Sequence, residues 1–158
     1  LRLKNIQPDL YLCCCGGGGL IAGSSTYLRY AFPNIKNFAV EPEKFNDTQL
    51  SLKNNFIVKN KETGESICDA LLAPQPGDVT FPINQITLDG GLAVSDEEVK
   101  KTIVELAEEM KVVVEPGGAV AATALLTNKI NVKNKNVVLM ISGGNIDYEL
   151  FSSIVRNC

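Results

Sequence analysis

Short apolar segments alternate along this chain with longer segments in which apolar residues recur at helical spacing. Strands are predicted at residues 10–15, 38–41 and 136–141, and the first and last are continuously apolar, as expected of strands buried on both faces. Helices are predicted over residues 20–32, 47–52, 81–88, 119–126 and 148–155. The alternation predicts an α/β fold: a three-layer, open and mainly parallel sheet with helices on both faces.

Two further helix signals come from polar residues at helix starts. The clearest helix begins after Ser95, which forms a predicted capping box with Glu98, and its apolar residues continue at helical spacing to Met110. Asn46 is predicted to cap the helix that begins at Asp47, because its side chain is a good acceptor for free helix amides.

Four consecutive glycines, residues 16–19, join the first strand to the first helix. Such a run disfavours both strand and helix, because each glycine costs backbone entropy in either. It is typical of a backbone that turns tightly and comes close to a ligand. At a helix N-terminus the free N–H groups and the helix dipole favour an anion. A plain turn needs roughly one or two glycines, so we predict a phosphate-binding loop.

The composition is that of one soluble domain, with 158 residues of which 45% are apolar and 21% are charged. A net charge of −3 and the lack of a long basic run argue against nucleic acid or an anionic membrane surface as a partner. No apolar run reaches the roughly 18 residues of a membrane span. The sequence contains no histidine, which excludes histidine triads, histidine zinc sites and histidine bases.

The five cysteines lack the spacing of a metal cluster. Cys13, Cys14 and Cys15 are adjacent on a predicted strand, where neighbouring side chains point to opposite faces, so a disulfide between them would be strained. Cys68 and Cys158 stand alone. We therefore predict reduced, buried thiols in a cytoplasmic protein.

Three phosphate-binding chemistries compete for the glycine loop. A Walker loop requires a lysine after its last glycine, but serines follow Gly23, which excludes it. A dinucleotide fingerprint fits better, because Gly17, Gly19 and Ala22 have its spacing. Glu41 ends the next strand, where a ribose-binding acid is expected. That interpretation leaves the glycine-rich end of the chain unexplained.

Pyridoxal phosphate is the third candidate. It needs a phosphate cradle, a partner for the pyridine nitrogen and a lysine for the aldehyde. Open parallel sheets bind ligands at the carboxyl ends of their strands. Here those ends carry the glycine loop, residues 115–118 after a further predicted strand at 111–114, and residues 142–145. The Ser142 hydroxyl can donate a hydrogen bond to the pyridine nitrogen without adding charge, which favours this cofactor.

Five segments together resemble the C-terminal half of serine/threonine dehydratases (threonine ammonia-lyases) and serine racemases. These are pyridoxal-phosphate enzymes of the tryptophan-synthase-β fold, fold type II. The segments follow one another in the order of that family and span nearly the whole chain. They are Gly-Gly-Gly-Gly-Leu-Ile-Ala-Gly at 16–23, Val-Glu-Pro at 40–42, Ser-Asp-Glu-Glu at 95–98, Val-Glu-Pro-Gly-Gly-Ala at 114–119 and Ser-Gly-Gly-Asn at 142–145.

The resemblance implies a set of cofactor contacts. Ser142 would face the pyridine nitrogen and Glu115 would lie beside the cofactor pocket. Glu115 fits equally well as a carboxylate that stabilises the N-terminus of the following helix. The residues implied to hold the phosphate are Gly16, Gly17, Gly18, Gly19 and Leu20.

The resemblance also implies a Mg²⁺ or Ca²⁺ ion, bound by Glu41, the carbonyl of Phe45 and Asp47. Two carboxylates, a carbonyl and waters are the oxygen ligands that such ions prefer. In the alternative, Glu41 only ends a strand and Asp47 only begins a helix.

The implied activity is the deamination (dehydration) of L-threonine or L-serine to a 2-oxo acid and ammonia, by a homo-oligomer, dimer or tetramer. Racemisation of serine is the alternative within the family. A non-catalytic module for a phosphate ligand and a dinucleotide-binding domain are the alternatives outside it. The small amino acid is the expected partner in the first two cases.

Two motifs of that family are not found in these residues: the Ser-x-Lys motif with the lysine for the cofactor aldehyde, and the loop that grips the substrate carboxylate. Only Lys4 precedes the glycine loop, and its surroundings do not match. We expect residues 1–158 to be the cofactor-binding, large-domain portion of a two-domain enzyme, inactive alone. Relatives usually have Asp-Gly where this chain has Asp69 and Ala70.

Overall fold

The computed structural model describes residues 6–60 and 64–157, which form four strands and six helices. Lys4 and Cys158 lie outside these ranges. The strands are β1 (Leu10–Cys14), β2 (Lys36–Pro42), β3 (Gly90–Val94) and β4 (Val137–Leu139). The helices are α1 (Gly19–Ala31), α2 (Asp47–Asn54), α3 (Thr80–Thr87), α4 (Asp96–Glu105), α5 (Pro116–Leu126) and α6 (Tyr148–Asn157).

The four strands form one parallel sheet in the order β3-β2-β1-β4. Cys13 of β1 pairs with Ala39 of β2, and Leu12 of β1 pairs with Leu139 of β4. Every residue of β1 is buried, as its apolar sequence predicts. Because parallel strands end at the same edge, the glycine loop after β1 lies beside the segment that follows β4. The predicted parallel α/β fold is confirmed.

Helices cover both faces of this sheet. On one face, the Tyr11 hydroxyl donates to the Ser24 hydroxyl of α1 at 2.9 Å, and the Asn37 side chain donates to the carbonyl of Thr87 in α3 at 2.9 Å. On the other face, α5 packs against β1, β2 and β3. Residues 116–124 of this small-residue helix are all buried. The sheet is thus the middle of three layers.

The strand predicted at residues 111–114 is wrong. Helix α4 ends in a π-helical turn, Leu106–Met110, and Lys111 then adopts a φ of 57°. The chain continues without a strand partner, and the Glu115 amide donates instead to the Gly143 carbonyl at 3.0 Å. A run of valines has strong strand propensity, but here the backbone is fixed by the loop that it meets.

Strand β3 was not predicted from the sequence, and the range predicted for β4 is too long. Two glycines weaken the strand signal of β3, yet a Cβ on Gly91 would lie 2.7 Å from Gln49 of α2, so the close approach of α2 requires glycine there. Strand β4 is shorter than residues 136–141, although the Met140 amide still donates to the Leu12 carbonyl at 2.9 Å. Helix α5 begins earlier than predicted, because Pro116 is accommodated at its first position.

One of the two predicted helix caps is present. The Glu98 amide of α4 donates to the Ser95 hydroxyl at 3.3 Å, and the Glu98 carboxylate accepts from the Ser95 amide at 2.8 Å, which confirms the capping box. The Asn46 cap of α2 is wrong, since its side chain donates to Gln49 Oε1 at 2.8 Å and accepts from no helix amide. The Glu41 carboxylate of β2 takes that place.

The predicted burial of the thiols is confirmed for the described cysteines: Cys13, Cys14, Cys15 and Cys68 are all buried and free. Burial raises the pKa of the Cys68 thiol to about 12, so it stays protonated near neutral pH. Within residues 6–60 and 64–157, no helix has the length and apolarity to cross a bilayer.

Candidate functional site

A pocket of about 280 Å³ lies at the carboxyl edge of the sheet, where β1 and β4 end and α1 and α5 begin. It brings together every residue that the sequence assigns to the cofactor, from three separate parts of the chain. The lining residues are Cys14, Gly16, Gly17, Gly18, Gly19, Leu20, Ala70, Leu71, Glu115, Gly117 and Ser142.

The four glycines of the loop meet different surroundings. Gly18 has a φ of 85°, and a Cβ there would lie 2.7 Å from Asn84 Nδ2 and 3.0 Å from Thr80 Oγ1. This position therefore requires glycine for its backbone and for its packing. A Cβ on Gly17 or Gly19 would meet no atom within 4 Å. At these two positions the missing side chain keeps open space over the loop.

The glycine loop is hydrogen-bonded to the start of helix α3 and to the turn before it. The Thr80 hydroxyl donates to the Gly17 carbonyl at 2.6 Å, and the Gly77 amide donates to the same carbonyl at 3.2 Å. The backbone amides of residues 17–20 donate to no acceptor in the described part of the chain. Together with the positive end of the α1 dipole, these amides form a concave donor surface that suits a phosphate or another anion.

Ser142 lines the same pocket as the start of α1. It follows β4, the strand beside β1, and its Oγ lies 3.2 Å from the sulfur of Cys14. Ser142 is an exposed residue that lines the pocket.

Glu115 anchors the backbone that carries Ser142. Its carboxylate accepts a hydrogen bond from the Asn145 amide at 3.1 Å, while its own amide donates to the Gly143 carbonyl. A Cβ on Gly143 would lie 2.5 Å from Glu115 Oε1, so a side chain at this position would displace the Glu115 carboxylate. Glu115 is also the N-cap residue of α5, although its side chain makes no cap hydrogen bond there. A carboxylate at this position still favours the helix N-terminus by its charge, so both interpretations of this residue remain predictions.

Sequence reasoning missed several neighbours of the pocket. Leu71 packs against both the loop and α5. A Cβ added to Gly16 would lie 3.5 Å from Leu71, and a Cβ added to Gly117 would lie 3.2 Å from it. Nothing in the sequence marks this leucine. Thr80 and Asn84 do share a signal, because residues four apart on a helix lie on one face, but their contact with the loop depends on how α3 packs.

No lysine lines the pocket among the residues that the structure describes. The site therefore offers hydrogen-bond donors, a hydroxyl, a thiol and a carboxylate, but no amine. It can hold an anionic ligand and orient a polar ring atom. It lacks the nucleophilic amine that a carbonyl cofactor needs for a covalent link.

The residues predicted to bind a cation lie away from this pocket, at the start of α2. Glu41 is fully buried, and its two oxygens accept the amides of Thr48 and Gln49 at 2.8 Å each. Asp47 Oδ1 accepts from the side chain of Asn60 at 2.7 Å, whereas Asp47 Oδ2 is buried without a partner among the described groups. Both groups are thus held at a helix N-terminus.

Phe45 ends a short 3₁₀ helix, Glu43–Phe45, that lies between the two carboxylates in the sequence, and Phe45 is itself buried. Burial, together with the charge of Asp47, raises the pKa of Glu41 to about 8, and burial raises the pKa of Asp47 to about 6. This buried position also removes the support for a dinucleotide-binding domain, because Glu41 has no oxygen directed to the pocket and does not line it.

The raised pKa of Glu41 predicts a pH-dependent stability. Its folded pKa of about 8 exceeds the ordinary value of 4.5, so its contribution is complete below pH 4.5 and is lost as the pH rises through 8. A Glu41→Gln variant does not ionise. The free energy of unfolding of this variant is expected to fall less than that of the wild type between about pH 5 and about pH 8.5, by on the order of 4 kcal/mol.

Glu105→Gln provides the matched control, because Glu105 of α4 is exposed. The unfolding temperature of each variant across that pH range checks the prediction. An unchanged pH profile in Glu41→Gln would show that Glu41 is ionised in the folded chain throughout.

Comparison with known proteins gives one family. The family model described as "Pyridoxal-phosphate dependent enzyme" matches residues 2–143 of the chain. The serine racemase of Schizosaccharomyces pombe is 39% identical over 133 residues, which cover 84% of this chain and 41% of that protein. The L-threonine ammonia-lyase of Thermotoga maritima is 37% identical over 137 residues, which cover 87% of this chain and 34% of that protein.

A solved structure shows the same similarity in three dimensions. The processed form of threonine deaminase isoform 2 from Solanum lycopersicum superposes with a TM-score of 0.86 at 28% identity, over 98% of this chain and 46% of that one. The tryptophan-synthase-β-like fold implied by the sequence is thereby confirmed. The chain spans less than half the length of each of these relatives.

Proposed function

This chain belongs to the family of pyridoxal-phosphate dependent enzymes, and from that premise we propose that it is the cofactor-binding portion of a longer enzyme. That enzyme, called the full-length protein below, deaminates L-threonine and L-serine to the 2-oxo acid and ammonia. The observation that carries the proposal is the single pocket that collects the glycine loop, Glu115 and Ser142 at one edge of the sheet.

The pocket residues fit pyridoxal phosphate. The open space over Gly17 and Gly19 and the unbonded amides of residues 17–20 suit its phosphate. Ser142 offers a neutral hydroxyl for its ring nitrogen, and Glu115 keeps the Ser142 loop in place through the Asn145 amide. When bound, the cofactor supplies an electron sink for the bond that is broken at the substrate α-carbon.

The lysine for the cofactor aldehyde and the loop for the substrate carboxylate belong, in this proposal, to the remainder of the full-length protein. The lack of any described lysine in the pocket supports this division. We also place the full-length protein in the cytoplasm as a homo-oligomer, dimer or tetramer, without a nucleic-acid or membrane partner. The buried free thiols and the net charge of −3 support that placement.

Purified full-length protein tests the proposed reaction. With pyridoxal phosphate bound, it is expected to convert L-threonine to 2-oxobutanoate and L-serine to pyruvate, each with one ammonia released. A coupled assay for the 2-oxo acid measures both, and D-threonine is the matched control substrate. No 2-oxo acid from either L-amino acid, with cofactor bound, contradicts the proposal.

Serine racemisation is the second candidate, favoured by the similarity to the Schizosaccharomyces pombe protein. It predicts D-serine from L-serine in the same incubation, measured by chiral chromatography. D-Serine without pyruvate would assign the racemase, and pyruvate without D-serine would assign the ammonia-lyase.

We also propose the Mg²⁺ or Ca²⁺ site at Glu41, the carbonyl of Phe45 and Asp47. The buried, unpartnered Asp47 Oδ2 and the two adjacent carboxylates support a cation there. Added Mg²⁺ or Ca²⁺ is expected to raise the unfolding temperature, by at least about 2 °C, and Asp47→Asn is expected to abolish that shift. An unfolding temperature that responds neither to these ions nor to a chelator would contradict the site.

A further inference from the structure

The Cys14 sulfur and the Ser142 hydroxyl oxygen form a close pair inside the pocket. They lie 3.2 Å apart, and both residues line the cavity. Cys14 ends β1, and Ser142 follows the neighbouring strand β4, so the parallel sheet itself brings the two side chains together. Cys14 is 5% exposed, while Ser142 is exposed. A buried thiol thus supports a hydroxyl that opens to the ligand space.

The direction of this hydrogen bond decides what Ser142 offers to a ligand. A serine hydroxyl has one proton, and if it is donated to sulfur, the oxygen presents only lone pairs to the pocket. If the thiol donates to the oxygen, the hydroxyl proton remains available to the pocket. Ser142 Oγ lies within hydrogen-bond distance of the Cys14 sulfur and can accept the thiol proton.

The protonation state of Cys14 fixes the conditions under which this donor exists. The neighbouring Cys13 thiol and the Ser142 hydroxyl lower the pKa of Cys14, although burial acts in the opposite direction. Only below its pKa does the thiol carry the proton that it can donate. Measurements on the pair therefore belong on the acidic side of neutrality, at about pH 6.

We propose that Cys14 is a positioning residue, whose S–H group donates to Ser142 Oγ and so directs the Ser142 proton towards the ring nitrogen of pyridoxal phosphate. This inference rests on the proposed function, which assigns the ring nitrogen to Ser142. Donors and acceptors in such a short chain polarise one another, so the thiol also makes the hydroxyl a better donor. Cys14 itself touches neither the ring nor the substrate in this role.

The neighbouring cysteines of β1 do not share this position. Cys13 lies on the other face of the sheet, the face of Tyr11 and α1, and its sulfur donates to the Cys14 carbonyl at 3.4 Å. The sulfur of Cys15 lies 3.3 Å from the hydroxyl of Thr48 in α2. Neither belongs to the pocket lining. They provide controls of identical chemistry in the same segment.

A double-mutant cycle on the full-length protein tests the proposal. The cofactor-free protein is titrated with pyridoxal phosphate at about pH 6, and the dissociation constant and the absorption maximum of the bound cofactor are measured. Cys14→Ala is expected to weaken binding by about two- to five-fold and to shift the absorption maximum. Cys14→Ser, which retains a donor, is expected to restore both. Cys15→Ala is expected to change neither.

The effect of Cys14→Ala is then measured again in a protein that also carries Ser142→Ala. If Cys14 acts through Ser142, then Cys14→Ala has no further effect on affinity or spectrum once Ser142 is alanine. Equal effects of Cys14→Ala in both backgrounds, or no restoration in Cys14→Ser, overturn the inference while leaving the proposed function intact. A Ser142→Ala protein with unchanged affinity and spectrum overturns the assignment of Ser142 itself. Unfolding temperatures of all variants show whether any loss of affinity reflects loss of fold.

Discussion

Replacing Gly17 by valine is expected to release pyridoxal phosphate from the full-length protein and to leave its fold intact. A Cβ at this position would meet no protein atom within 4 Å, so a side chain there projects into the open space over the loop. Gly17 also lies outside the left-handed backbone region, in which Gly18 is the one described glycine. The dissociation constant is expected to rise at least about ten-fold, since the loss of one phosphate contact is worth about 1.4 kcal/mol.

Gly23→Val is the matched control, because Gly23 lies in α1 and a Cβ there also meets no atom within 4 Å. Gly18→Val shows what a variant with a damaged fold looks like. A valine at φ 85° clashes with Asn84, so this variant is expected to lose the cofactor and also to have a lower unfolding temperature, whereas Gly17→Val is expected to lose only the cofactor. Cofactor content by absorbance and unfolding by circular dichroism check all three. Full cofactor occupancy in Gly17→Val would show that the loop holds something else.

The second large effect is the loss of all turnover in the isolated chain. Residues 1–158 alone are expected to give no 2-oxo acid from L-threonine or L-serine, even with added pyridoxal phosphate. The resemblance assigns the covalent attachment of the cofactor to a lysine, and no described lysine lines the pocket. The chain still carries the phosphate loop and Ser142, so weak, non-covalent binding is expected.

Borohydride reduction followed by peptide mass mapping measures covalent attachment directly, with the full-length protein as the control. Circular dichroism verifies that the isolated chain is folded. One specific lysine of residues 1–158 labelled with the cofactor, together with turnover, would show that the active site lies within this chain.

The central part of the site was predictable because it depends on local chemistry at strand ends. Four glycines after an apolar strand specify a tight turn at a helix start, whatever the rest of the fold. Ser142 follows a second apolar strand, and a parallel sheet places both strand ends at one edge. The pairing of β1 with β4 then brings the two together without any further information.

The parts that were not predictable depend on packing between distant segments. The cap of α2 comes from Glu41 in β2 and not from the adjacent Asn46, because a buried carboxylate can reach two helix amides at once. The valines at 112–114 lack a strand partner, since the chain there follows the loop near Gly143. Propensity describes neither contact, because both are set by tertiary structure.

Cys14 illustrates the same limit within the site. The sequence identifies three adjacent cysteines on a buried strand but gives no reason to separate them. Side-chain alternation along β1 and the position of β4 place only the middle one against Ser142. The three thiols therefore have different hydrogen-bond partners because of where the sheet places each side chain.

A crystal structure of the full-length protein with pyridoxal phosphate tests the central claim most directly. We expect phosphate density within hydrogen-bond distance of the amides of residues 17–20, with the ring nitrogen facing the Ser142 hydroxyl. Cofactor density elsewhere, for example in the larger groove of about 510 Å³ beside Gln49, Lys53 and Gln85, would contradict it.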